Sequence, residues 1–155
     1  MKHFTIDNLK NIKNEVQLKD SKANIIAVSK TFPVDSILPL IDYGHLHFGE
    51  NKVQEAVDKW KNLKLKYKNI KLHFIGKLQT NKVKHILPLA DYIHSLDNLK
   101  LAKKIFEEQT KKKIKPKIFI QLNFGNEIQK NGIPEEKFGE FLSISKNTFN
   151  LNIVG

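Results

Sequence analysis

A chain of 155 residues, 40% of them hydrophobic, suffices for one domain with a real core, and no stretch of it approaches the ~20 apolar residues of a membrane span. The net charge is +11, yet all 27 basic residues are lysine; without arginine's bidentate fork, this charge argues against a nucleic-acid reader. The absence of cysteine excludes disulfides, thiolate metal sites and cysteine nucleophiles, and Asp7 and Glu15 interrupt any signal-peptide plan, so a cytoplasmic location is expected.

Leu9, Ile12 and Val16 recur at helical spacing and predict an amphipathic helix over the first ~20 residues. Ile25 to Ser29 reads as a strand buried on both faces. Pro33 suits the first turn of a helix carrying Ile37, Leu38 and Ile41, which Gly44 ends. A short strand at Leu46 to Phe48 precedes a helix whose inner stripe is Val53, Ala56, Val57 and Trp60. Ile70 to Ile75 is the next strand, Thr80 to Leu87 a helix broken near Pro88, and Tyr92 to Ser95 a strand. Asp97 is the expected N-cap of the helix bearing Leu101, Ile105 and Phe106. The run Lys111 to Lys117 reads as a solvated connection to a strand at Lys117 to Asn123, followed by a helix at Pro134 to Ser145 and a strand at Leu151 to Val154.

Strict βα alternation predicts parallel strands with crossover helices. Periodicity leaves both a doubly wound sheet and a TIM barrel open, but the phosphate loop of the former is missing, since Gly44 and Gly49 do not build G-x-G-x-x-G. Lys30, Asn51, Gly76, Ser95 and Asn123 all fall at or just beyond predicted strand ends, where barrel enzymes gather function.

Each of the five also has an ordinary explanation. A lysine ending a strand commonly snorkels to the surface; set against apolar walls, it can instead act as an amine nucleophile. Asn51 could cap the helix that begins there, and Ser95 and Asn123 could serve turns or caps. His45 and His47 share a strand face, a spacing open to metal, but no third ligand or zinc-type motif accompanies them and structural histidines are expected.

Six motifs follow one another in order: Ile25-Ile26-Ala27-Val28-Ser29-Lys30-Thr31; His47-Phe48-Gly49-Glu50-Asn51-Lys52-Val53-Gln54-Glu55; Leu72-His73-Phe74-Ile75-Gly76-Lys77-Leu78-Gln79-Thr80-Asn81-Lys82; His94-Ser95-Leu96-Asp97; Gln121-Leu122-Asn123; and Lys130-Asn131-Gly132-Ile133. Together they resemble the pyridoxal phosphate homeostasis protein family, whose members bind pyridoxal 5'-phosphate (PLP) on a barrel like the N-terminal domain of alanine racemase. The resemblance runs from about Ile25 to Ile133. It implies an α/β fold of the (β/α)8 TIM-barrel type. It also implies a non-catalytic role in cofactor homeostasis, with PLP held as a Schiff base on Lys30. Asn51, Gly76, Ser95 and Asn123 would line the cofactor pocket, Gly76 by letting the backbone approach the ring. PLP and apo PLP-dependent enzymes would be the partners. No catalytic residue and no metal ligand is expected: a racemase needs a second acid/base, which the relevant racemases take from another domain.

At about 30 residues per unit, 155 residues supply five or six of eight barrel units, so one domain spanning residues 1–155 and incomplete at its C-terminus is expected. By resemblance, the two further strands would hold the cofactor phosphate and supply an arginine facing the pyridine nitrogen. A remnant with weak or no PLP binding and a racemase-like enzyme are the alternative readings. An open barrel should also expose strand edges and the inner apolar faces of its strands.

Overall fold

In a computed structural model, which describes residues 4–125 and 131–155, six parallel strands form one sheet in the order β1-β2-β3-β4-β5-β6. They are β1 (Ala27–Val28), β2 (His47–Glu50), β3 (Lys71–Phe74), β4 (Tyr92–Leu96), β5 (Lys117–Ile120) and β6 (Asn152–Ile153). Strand order equal to chain order is the order of a barrel wall, whereas a doubly wound sheet reverses at a switch point. The α/β barrel-type expectation holds, with six strands.

The helices are α1 (Phe4–Lys19), α2 (Val34–Asp42), α3 (Val53–Lys66), α4 (Val83–Ile86), α5 (Leu99–Lys112) and α6 (Phe138–Ser143). A 3₁₀ turn at Thr80–Lys82 leads into α4, another at Glu135–Lys137 leads into α6, and a π-helical turn at Ile144–Thr148 follows α6. The core lies between the helices and one sheet face. Phe48, Leu72, Phe74, Ile93 and Ile118 are fully buried there, and Phe48 packs its ring 5.1 Å from that of Trp60 on α3. At the N-terminal end of the strands, Asp91 accepts hydrogen bonds from Lys64 Nζ on α3 and from the Leu72 N–H, at 2.8 Å for the latter.

Several expectations need correction. The first strand is not buried on both faces, because Val28 is 47% exposed; β1 is an edge with only two residues in the ladder. The second strand runs on to Glu50 rather than stopping at Phe48, and Leu46 lies outside it. Asn98, not Asp97, caps α5: Asn98 Oδ1 accepts the Leu101 N–H at 2.8 Å, while Asp97 accepts from the Asn98 side chain. The fifth strand ends at Ile120, beyond which Leu122 makes a single parallel bridge to Ile133.

The sheet face turned away from the helices is not simply apolar. Across it His47 Nδ1 meets His73 Nε2 at 2.9 Å, and His73 Nδ1 meets His94 Nε2 at 2.9 Å. Tyr92 stacks on His73 at 4.1 Å and Phe119 on His94 at 4.5 Å between ring centroids. Each nitrogen pair needs one proton between its members, so a neutral His73 donates to one neighbour and accepts from the other. Burial, reinforced by His94 and His47 and opposed by Asp91, lowers the His73 pKa to about 4; His94 is lowered by burial as well.

This ladder makes stability depend on pH. The native state holds His73 neutral where an unfolded chain, near its ordinary value of about 6.5, would already bind a proton. Stability should therefore be full above pH ~6.5, fall as pH drops towards about 4, and level off below for this group. Urea midpoints measured across that window should decline less steeply in His73→Gln, whose side chain hydrogen-bonds but does not titrate. Parallel profiles for the two proteins would remove His73 as the cause.

Candidate functional site

Parallel strands in sequential order deliver their C-terminal ends to one edge. Lys30 lies two residues past β1, Asn51 directly follows β2, Gly76 lies two past β3, Ser95 is the penultimate residue of β4 and Asn123 lies three past β5. The ladder carries on into this edge: the Ser29 N–H donates to the Gly49 carbonyl at 2.9 Å, Ile75 N–H to Glu50 at 2.8 Å and Gln121 N–H to Leu96 at 2.9 Å. All five predicted residues thus share the C-terminal edge. Lys130, from the last motif, lies outside the described residues.

Their environments differ from the expectations in detail. Lys30 is exposed rather than set against apolar walls. Asn51 does not cap α3, whose N-cap position is Lys52 without a side-chain bond; its Oδ1 is instead buried with no hydrogen-bond partner among the described residues. Ser95 is 3% exposed, and its Oγ is likewise buried without a partner. Buried polar atoms of this kind are rare, because each costs about 1–3 kcal/mol. With Glu50 Oε2, buried and unpartnered at the end of β2, there are three at this edge, and those of Asn51 and Ser95 suit an incoming polar ligand. Gly76 lies against protein backbone: a Cβ there would sit 2.1 Å from the Asn51 carbonyl oxygen. The glycine is what lets the β2 and β3 loops touch. Asn123 donates its N–H to the Ile133 carbonyl at 3.0 Å, and Lys77 reaches Asn131 Oδ1 at 2.7 Å, joining the loops after β3 and β5.

Beneath Lys30 lies a charged network that the sequence reading missed. Glu50 is wholly buried, and its Oε1 accepts from Ser29 Oγ at 2.8 Å, Lys59 Nζ at 2.9 Å and Trp60 Nε1 at 3.0 Å. Lys59 Nζ donates also to the Ser29 carbonyl at 2.8 Å and to Glu55 Oε1 at 3.0 Å. Burial pushes the Glu55 carboxyl upward, but the hydrogen bonds from Lys59 and the Thr31 N–H, with the charges of Lys59 and Lys52, outweigh it and hold the group below its ordinary value. The signal lay in the sequence: Glu50, Glu55 and Lys59 follow a strand at i, i+5 and i+9, and Glu55 and Lys59 share a helix face.

Among the described residues no group of three or more histidines and carboxylates could hold a metal, and no helix is long and apolar enough to cross a membrane. A cleft of about 410 Å³ lies at the opposite end, between α1 and the start of β2, with Lys13, Lys22 and His45 on its walls.

The model of the alanine racemase N-terminal domain family matches residues 5–155. The chain belongs to this family. Within it, the chain falls among the pyridoxal phosphate homeostasis proteins: it is 41% identical to that of Buchnera aphidicola over 92% of its own length, and 36% identical to that of Haemophilus influenzae over 93%. It spans about three-fifths of those relatives, 61% and 62% of their lengths. PipY of Synechococcus elongatus, solved with PLP bound, is 27% identical with a TM-score of 0.74, over 92% of this chain and 66% of PipY.

The Gly76 contact can be tested directly. Gly76→Ala should cost at least about 1–3 kcal/mol in urea unfolding, the usual range for overpacking, because a carbonyl oxygen rather than a flexible side-chain tip opposes the new methyl. Wild-type stability in the variant would mean that the two loops are not in contact.

Proposed function

We propose that this chain is a non-catalytic PLP-binding protein that stores and supplies the cofactor, with Lys30 holding it as a Schiff base and Asn51, Gly76, Ser95 and Asn123 lining the site. The observation that carries this reading is the pair of buried, unpartnered polar atoms, Asn51 Oδ1 and Ser95 Oγ, on the same strand-end edge as an exposed lysine. The relatives' name and the PLP-bound neighbour support the choice of ligand.

When bound, PLP supplies an aldehyde with which a primary amine condenses, releasing water, together with an anionic phosphate. Lys30 provides the amine, and its exposure keeps it within reach of a cofactor arriving from solvent. The Ser95 hydroxyl can donate or accept a hydrogen bond and Asn51 Oδ1 can accept one, so both gain a partner they otherwise lack. Gly76 lets the loops after β2 and β3 touch and so seats the backbone of Asn51. Of the five residues only Lys30 carries a titratable side chain, and racemisation would need a second acid/base facing it. Carriage rather than turnover is what such a set supports, in a single barrel-type domain, with cytoplasmic apo-enzymes as recipients.

PLP added to the purified chain should develop an absorbance near the visible edge that Lys30→Ala removes. Ser95→Ala and Asn51→Ala should weaken binding by roughly 5–30-fold, the equivalent of about 1–2 kcal/mol. A spectrum unchanged in Lys30→Ala would move the cofactor to another lysine, and turnover of D- or L-alanine would replace the carrier reading with an enzyme.

A further inference from the structure

We infer that Lys59 and Glu55 are positioning residues, a two-sided clamp that fixes the backbone of Lys30 and so aims its side chain. The inference rests on the assignment of Lys30 as the cofactor lysine.

Its first support is geometric. The peptide group before Lys30 is gripped at the Ser29 carbonyl by Lys59 Nζ at 2.8 Å. The peptide group after it is gripped at the Thr31 N–H by Glu55 Oε1 at 2.5 Å. Lys59 and Glu55 are themselves paired at 3.0 Å, one helical turn apart on α3. Peptide groups are planar, so holding both planes that flank one Cα fixes its φ and ψ and hence the direction of its Cβ. A flexible lysine side chain then starts from one origin, held in place from helix α3.

The second support is strain. The Phe32 N–H closes a turn onto the Ser29 carbonyl at 3.2 Å, placing Lys30 and Thr31 at its two central positions. Thr31 has φ +66, a left-handed conformation that turns normally assign to glycine and that a β-branched residue strongly disfavours. Such a backbone persists only where its surroundings over-determine it, and these outliers concentrate at functional sites. The Glu55 carboxylate supplies that hold.

Burial shows that the clamp is built in. The Lys59 side chain is 7% exposed and that of Glu50 0%. Glu50 serves as the floor, because its Oε1 binds Lys59 Nζ and Ser29 Oγ together. Glu55, 25% exposed, can be altered without opening that buried pair.

The test uses trapping of PLP on the full chain by borohydride, followed by mass-spectrometric mapping of the modified lysines. The share on Lys30 relative to the other 26 lysines is an internal ratio that concentration does not change. Wild type should favour Lys30. Glu55→Ala and Lys59→Met should each lower that preference at least about tenfold, a scale that small misplacements of a reacting group can reach. Glu55→Gln keeps an oxygen for the Thr31 N–H and should restore part of the loss. Hydrogen exchange at Thr31 should quicken in Glu55→Ala and stay slow in Glu55→Gln. Undiminished Lys30 preference in folded Glu55→Ala would overturn the clamp while leaving Lys30 as the cofactor lysine. No preference for Lys30 in wild type would defeat the cofactor assignment and with it the clamp's purpose. Should Lys59→Met not fold, the Glu55 pair decides the matter alone.

Discussion

A buried carboxylate at the end of β2 governs how the functional edge is assembled. Glu50 Oε1 receives Ser29 from the loop after β1 and Lys59 and Trp60 from α3, three donors in all. Strand β1 contributes only Ala27 and Val28 to the ladder, too little to fix where its following loop goes. The Glu50 cluster supplies the missing constraint by tying Ser29 to helix α3. A buried carboxylate is costly to desolvate, and removing one partner of such a pair typically costs about 3–5 kcal/mol. The edge strand and helix α3 are therefore coupled: neither can move without leaving a charge in the core.

The two faces of the sheet do different work. The helix side is filled by Phe48, Leu72, Phe74, Ile93 and Ile118, where area burial at ~25 cal/mol per Å² provides the cohesion. The opposite side has the hydrogen-bonded histidine row of β2, β3 and β4 at its centre, and Ile26, Val28 and Ile75 around Gly49 nearer the functional edge. In this row of imidazoles both ring nitrogens of His73 are satisfied by its neighbours, without water. An inner face can thus be polar at one level and apolar at the next within a few residues of strand.

Much of the fold was legible because apolar runs and crossover helices have unmistakable periods. Leu72 and Phe74, buried side chains separated by His73 on the other face, show the alternation behind the strand at β3. That the five residues share an edge followed from the strand ends, whereas their choice as site residues came from the ordered motifs and the family these resemble. What stayed hidden depended on contacts between distant segments. Glu50 had no assigned role in the sequence beyond its place in a motif, and only the juxtaposition of Ser29, Lys59 and Trp60 makes its burial tolerable. Asp97 and Asn98 are both good cap residues, and one residue of difference in where α5 begins decides between them. His47, His73 and His94 are 26 and 21 residues apart, so their register could be known only once the strands were aligned.

The lysine content sharpens the meaning of the positioning network. With 27 lysines and no arginine, the chain offers an aldehyde many amines, and most of them can form a transient adduct. An exposed side chain such as Lys30 gains little distinction from its own surroundings, so selectivity has to come from where its backbone is held and from what stands opposite it. In the proposed site the clamp at Ser29 and Thr31 would answer the first need, and the buried oxygens of Asn51 and Ser95 the second. Preorganisation of this kind lowers the ordering cost at the moment of binding. It also places that cost in the folded chain, where it takes the form of a threonine held at φ +66 and two polar atoms kept from water.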